Sequence, residues 1–182
     1  MPFPYTNPNE SQLQQRRKIM LGAQRFNPSG TATLTRGGKG NWYWAIGASL
    51  TVDFAAALDQ AISEYTSANV NYQQGGTPNG DMSINSATAL YLASGANLTA
   101  ATLGVSESTF GAATTPTVTD LIAPTALALP LGTNIQEVAV LPSNNGLLIL
   151  DPAQLIVEAI FQTAAGGALH FYGVILDVML SR

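Results

Sequence analysis

Leu155-Ile156-Val157-Glu158-Ala159-Ile160-Phe161-Gln162, then a small-residue stretch from Ala164 to Ala168, then Leu169-His170-Phe171-Tyr172-Gly173-Val174-Ile175-Leu176-Asp177-Val178-Met179-Leu180: this run decides the fold class. In its first part Leu155, Val157, Ala159 and Phe161 alternate with Ile156, Glu158, Ile160 and Gln162, the two-residue period of a strand. Gly166-Gly167 supplies turn chemistry, so the pattern predicts a hairpin of two strands. Both strands are apolar on two faces except at a few positions. Such strands belong in the centre of a sheet, or place one face in a subunit interface.

Upstream, Thr117–Ile122, Ile135–Leu141 and Leu147–Leu150 read as further strands. They are bounded by Pro116, Pro130, Pro142 and the turn Asn144-Asn145-Gly146. Thr31–Thr35 and Trp42–Ile46 are two more, separated by Arg36-Gly37-Gly38-Lys39-Gly40. Between these groups the pattern changes. Phe54, Leu58, Ala61, Ile62 and Tyr65 recur at helical spacing, and Asp53 suits a helix N-terminus, so a helix is expected over Val52–Ser67. A second, short helix is expected over Ser86–Ser94, stopped by Gly95, with a polar surface loop at Asn69–Asp81. The fold class is mainly β, a β-sandwich or jelly-roll-like body with one or two helices and an extended N-terminal arm.

That arm begins with Pro2, Pro4 and Pro8, which disfavour helix and leave Phe3 and Tyr5 as anchors. Asn9 can cap a helix from Glu10 to about Gln24, with Leu13, Ile19, Met20 and Ala23 loosely on one face and Asn27-Pro28-Ser29-Gly30 ending it. The expected division is a basic, partly helical arm over 1–40 and an acidic, β-rich body over 41–182.

Charge supports that division. The chain has 182 residues, 7 basic and 11 acidic, for a net charge of −4. Six of the basic residues (Arg16, Arg17, Lys18, Arg25, Arg36, Lys39) lie in the arm, and residues 40–181 contain none. Only 10% of residues are charged, against roughly 25% in an ordinary soluble domain. A surface so poor in charge is expected to face protein, and a homo-oligomer, most simply a trimer, is the expected arrangement. The N-terminus has neither the basic nor the apolar region of a signal peptide, and no stretch is long and apolar enough to span a bilayer. Synthesis in the cytoplasm without membrane association is expected.

The residues argue against an enzyme. There is no cysteine, hence no disulfide, thiolate metal site or Cys nucleophile. His170 is the only histidine and no Gly-x-Ser-x-Gly elbow accompanies it. Paired carboxylates would lack cationic groups to bind and tune a substrate. Gly37-Gly38-Lys39-Gly40 lacks phosphate-loop spacing, and Asp81-Met82-Ser83-Ile84-Asn85 lacks the glycine and closing glutamate of a calcium loop. No catalytic residue, metal or cofactor is assigned.

Two binding features are left. Arg16, Arg17, Lys18, Arg25 and Arg36, with Phe3, Tyr5 and Phe26 as anchors, suit an arm laid over an acidic protein surface. Nucleic acid is the weaker partner, since the acidic body would be repelled. Trp42-Tyr43-Trp44 places Trp42 and Trp44 on one face, either as glycan-stacking or as core and interface aromatics.

The Pro-rich arm Met1–Pro8, the basic Arg16-Arg17-Lys18, the charge-poor Ala/Thr/Asn/Gly body, the absence of cysteine and the apolar end Ile175-Leu176-Asp177-Val178-Met179-Leu180 together form a profile. It resembles a tailed-bacteriophage virion structural protein, most nearly a capsid decoration (cement) protein. That resemblance implies a trimer of β-rich bodies on the exterior of a capsid, with arms spread over the major capsid protein or neighbouring subunits. It supplies no motif from which a functional residue could be carried over. The alternative is another virion tail or neck protein, or a carbohydrate-binding, lectin-like module, with the Trp42-Tyr43-Trp44 face and the polar loop 69–81 as contact site.

Overall fold

Alternation of burial runs through the last two strands, shifting phase in the second at Tyr172-Gly173. Leu155, Val157, Ala159 and Phe161 are fully buried in one, as are Leu169, Phe171, Val174, Leu176 and Val178 in the other. The computed structural model describes residues 15–38, 41–47, 50–58, 82–94, 98–109, 117–127, 135–141, 148–149, 155–164 and 167–180. Among them, twelve strands form two antiparallel sheets that face each other as a β-sandwich.

Sheet A contains β1 (Gln15–Gly22), β3 (Thr33–Arg36), β4 (Trp42–Gly47), β6 (Met82–Ser94), β9 (Gln136–Val140), β10 (Leu148–Ile149) and β12 (Ala168–Leu180). Sheet B runs β2 (Asn27–Pro28), β5 (Leu50–Ala57), β11 (Leu155–Thr163), β7 (Leu98–Thr109), β8 (Thr117–Ala126). The expected strands near 31–35, 42–46, 117–122, 135–141 and 147–150 are present, and both final strands are central in their sheets.

They do not form a hairpin with each other. β11 pairs with β5 and β7, whereas β12 pairs with β6 on one side and with β4 and β1 on the other. The chain crosses between sheets after Thr163, with a turn in which the Gly167 N–H donates to the Ala164 carbonyl at 3.0 Å. The physical reason is burial. Facing each other across the sandwich, the two strands bring Phe161 against Phe171 (centroids 5.4 Å apart), which a flat two-strand pair in one sheet would not. Phe54, at 4.7 Å from Phe171, and Tyr91, at 5.3 Å from Phe161, complete an aromatic centre. Burial pushes the Tyr91 phenol up to about 12.

The expected helices are strands wherever they are described. Residues 50–57 are β5, with Val52, Phe54, Ala56 and Leu58 buried at a period of two. Residues 86–94 belong to β6, where Ala87, Ala89, Tyr91 and Ala93 are buried. Residues 15–22 are β1, followed by a single 3₁₀ turn at Ala23–Arg25. The rest of the expected 10–24 and 52–67 helices, and the whole of the expected polar loop 69–81, lie outside the described residues. Helical and extended patterns share every fourth position, so Phe54 and Leu58 fit both. Pairing with β11 decides for the strand.

Residues 15–36 are therefore built into the sandwich. Ile19 and Leu21 join the core from β1, and Phe26 is buried edge-on against Phe171 at 4.9 Å. Full burial of a phenylalanine contributes about 1.5–3 kcal/mol, which is why Phe26 packs inside instead of anchoring a partner.

Candidate functional site

Strand β12 changes neighbour half-way along. Ala168–Phe171 pair with β4, and Gly173–Leu180 pair with β1, so the sheet forks at residues 171–173. The ladder to β6 also slips there, leaving Tyr172 as an extra residue between Phe171 and Gly173. Gly173 has φ +133°, and a Cβ on it would run into the Leu21 carbonyl oxygen. Only glycine lets β1 come in so close.

The fork leaves a groove of about 440 Å³, lined by Met20, Gly22, Ala23, Gln24, Asn41, Trp42, Leu90, Ile135 and Tyr172. That volume lies in the range of small-ligand pockets. Met20, Trp42 and Ile135 are large apolar side chains left 48%, 36% and 47% exposed. The walls are aromatic and aliphatic, the lining includes the amides of Gln24 and Asn41, and Tyr172 is the only titratable residue among the lining. Tyr172 belongs to a cluster on the outer face of sheet A. Its ring lies 5.4 Å from Tyr43, which in turn lies 4.5 Å from His170. Burial, then the neighbouring Tyr43, pushes the Tyr172 phenol up, and burial pushes the His170 imidazolium down, so both groups are neutral near pH 7.

The expected binding residues separate. Trp42 lines the groove, but Trp44 packs against the core and its indole N–H donates to the Ala23 carbonyl at 2.6 Å. Arg16 is engaged within the fold. Its Nε and Nη2 donate to the Asp177 carboxylate at 2.8 and 2.6 Å across the β1–β12 ladder. That guanidinium, aided by Asn85, holds the Asp177 carboxyl below the usual carboxylate range. Lys18 stands directly opposite Asp177, and Arg17 is exposed beside it. Arg25 is half-buried in the 3₁₀ turn, and Arg36, exposed, ends β3 opposite Trp42. Phe3 and Tyr5 lie outside the described residues. Met20, Gln24, Asn41, Leu90, Ile135 and Tyr172 were not singled out from the sequence. The one available signal is Tyr172, next to Gly173 in a strand whose other polar residues are His170 and Asp177.

On the outer face of sheet B, Glu158 meets Asp53 across the β5–β11 ladder. The hydrogen bond to Asp53, burial, and the charges of Asp53 and Asp120 push the Glu158 carboxyl up.

No protein-family model matches the chain, and no curated protein does. Among solved structures it is similar to a low-affinity xylan binding module, CBM86, from Roseburia intestinalis, at 11% identity over 90% of this chain and 96% of that one, TM-score 0.39. It is similar to a carbohydrate-binding module of the β-sandwich superfamily at 13% identity over 94% of this chain and 60% of that one, TM-score 0.42. A third is TmCBM61 in complex with β-1,4-galactotriose, at 8% identity over 97% and 98% of the two chains, TM-score 0.37. At these values none carries an argument about what this chain binds.

Proposed function

We propose that the chain is a non-catalytic binding module whose groove at the β12 fork takes a saccharide. The observation that carries this reading is the lining itself. Trp42 and Tyr172 offer ring faces with negative quadrupoles, suited to the C–H faces of a sugar ring. Gln24 and Asn41 each carry a donor and an acceptor in one group, suited to adjacent hydroxyls. No acid–base pair stands among the lining residues to break a glycosidic bond. Two of the residues expected to hold a capsid partner serve the fold instead: Phe26 is in the core and Arg16 is bound to Asp177. A glycan panel probed with the full chain tests the proposal. Binding of at least one oligosaccharide, abolished in Trp42→Ala and Tyr172→Ala, supports it, and a blank panel overturns it.

Self-association is a second proposal, favoured by a separate observation. Val118 on the edge strand β8 and Leu141 after β9 are 61% and 69% exposed, away from the groove lining. Light scattering that gives a 19.0 kDa monomer at micromolar concentration would contradict it.

A further inference from the structure

Every described lysine and arginine belongs to the two branches of the fork or to the turn beside them: Arg16, Arg17 and Lys18 on β1, Arg25 in the 3₁₀ turn, and Arg36 at the end of β3, which pairs with β4. Resting on the saccharide reading above, we infer that the groove's ligand is an anionic glycan, one carrying carboxylate or sulfate groups, held by Lys18 and Arg36 beyond the neutral lining.

The placement of these two cations carries the inference. Lys18 lies two residues from Met20 on the same face of β1, about 7 Å along the strand. Arg36 is the cross-strand partner of Trp42 in the β3–β4 ladder, so their Cα atoms lie about 5 Å apart and their side chains share a side of it. Both cations are exposed. Met20 and Trp42 are themselves groove walls, so each of these two walls has a cation next to it on the same side of its own strand.

The acidic groups nearby are accounted for. Asp177 faces Lys18, but its two oxygens already accept the fork of Arg16. Glu137 is exposed opposite Leu90, on the far wall. The groove therefore has a positive side on β1 and β3 and a negative side on β9, a polarity that would orient an acidic sugar with its anionic group toward Lys18 and Arg36. A neutral glycan would gain nothing from it. The charge pattern of the sequence works in the same direction, because residues 40–181 contain acidic groups and no Lys or Arg, which disfavours a polyanion on the body.

Titration calorimetry on the full chain with tetragalacturonate and with uncharged cellotetraose tests this at two ionic strengths. The expected result is tighter binding of the uronate, weakening as salt rises from 0.02 to about 0.5 M because exposed charges are screened. Lys18→Gln and Arg36→Gln, both surface changes, should each weaken the uronate about two- to five-fold and leave cellotetraose unchanged. A sulfated tetrasaccharide distinguishes the two anionic groups, and its tighter binding would assign sulfate within the same inference. Cellotetraose binding as well as the uronate, with no effect of either substitution, overturns the anionic inference and leaves the saccharide reading standing. Binding of poly-glutamate with no binding of any glycan overturns both.

Discussion

Gly173 holds the site open. A Cβ there would meet the Leu21 carbonyl oxygen, and its φ lies where side-chain-bearing residues are strained. Gly173→Ala should therefore destabilise the protein by about 1–3 kcal/mol or more, read from urea unfolding, and should loosen β1 from β12. The carboxylates respond to pH in opposite directions. Asp177 titrates below its usual range in the folded state, so its contribution is present above the ordinary carboxylate value and is lost as pH falls through the depressed one. Asp177→Asn should be less stable than the parent at neutral pH, and the gap should close in acid. Glu158 titrates above its usual range, so the folded state takes up its proton first and stability is lost as pH rises through the raised value. Glu158→Gln should gain stability relative to the parent as pH rises through the raised range in which Glu158 loses its proton. Urea midpoints measured across pH check both. Neither partnership was legible in the sequence, because Arg16 and Asp177 lie 161 residues apart.

At the scale of elements, the two central strands were legible because their apolar alternation survives on both sides of Gly166-Gly167. The sheet each joins was not, because a two-glycine turn fits a hairpin and a crossing equally well. The sequences of β1, β5 and β6 predict helix for a common reason. Ala, Leu and Met have high helix propensity, while strand pairing is long-range and outweighs it. β1 matters most for the site, since Met20 and Gly22 line the groove and Ile19 and Leu21 fill the core. A chain starting at residue 31 would lack Phe26 and leave the edge of β12 from Gly173 to Leu180 unpaired. It should lose cooperative unfolding, monitored by circular dichroism and urea titration. A folded, cooperative product would mean that 1–40 is the separable arm that the charge pattern suggests.

Over the whole molecule, segregation of charge was the feature most readable from sequence, and its location was not. The basic residues looked like a tail reaching outward. In the fold the described ones lie along the strands and turn that frame a neutral groove, because alternation in β1 sends Ile19 and Leu21 inward and Lys18 and Met20 outward. Aromatic content was legible too, but the division of labour between Trp42 and Trp44 follows from the fork, which no local pattern announces. The central claim is that this groove binds a saccharide. Its most direct test is a nuclear magnetic resonance titration of the full chain, with the Trp42 and Tyr172 signals followed as oligosaccharides from a binding panel are added. The account predicts saturable shifts at Trp42, Tyr172, Gln24 and Asn41, and at least a tenfold loss of affinity, about 1.4 kcal/mol, in Trp42→Ala with unchanged thermal stability. Shifts confined to the outer face of sheet B, or affinity unaltered in Trp42→Ala and Tyr172→Ala, would contradict it.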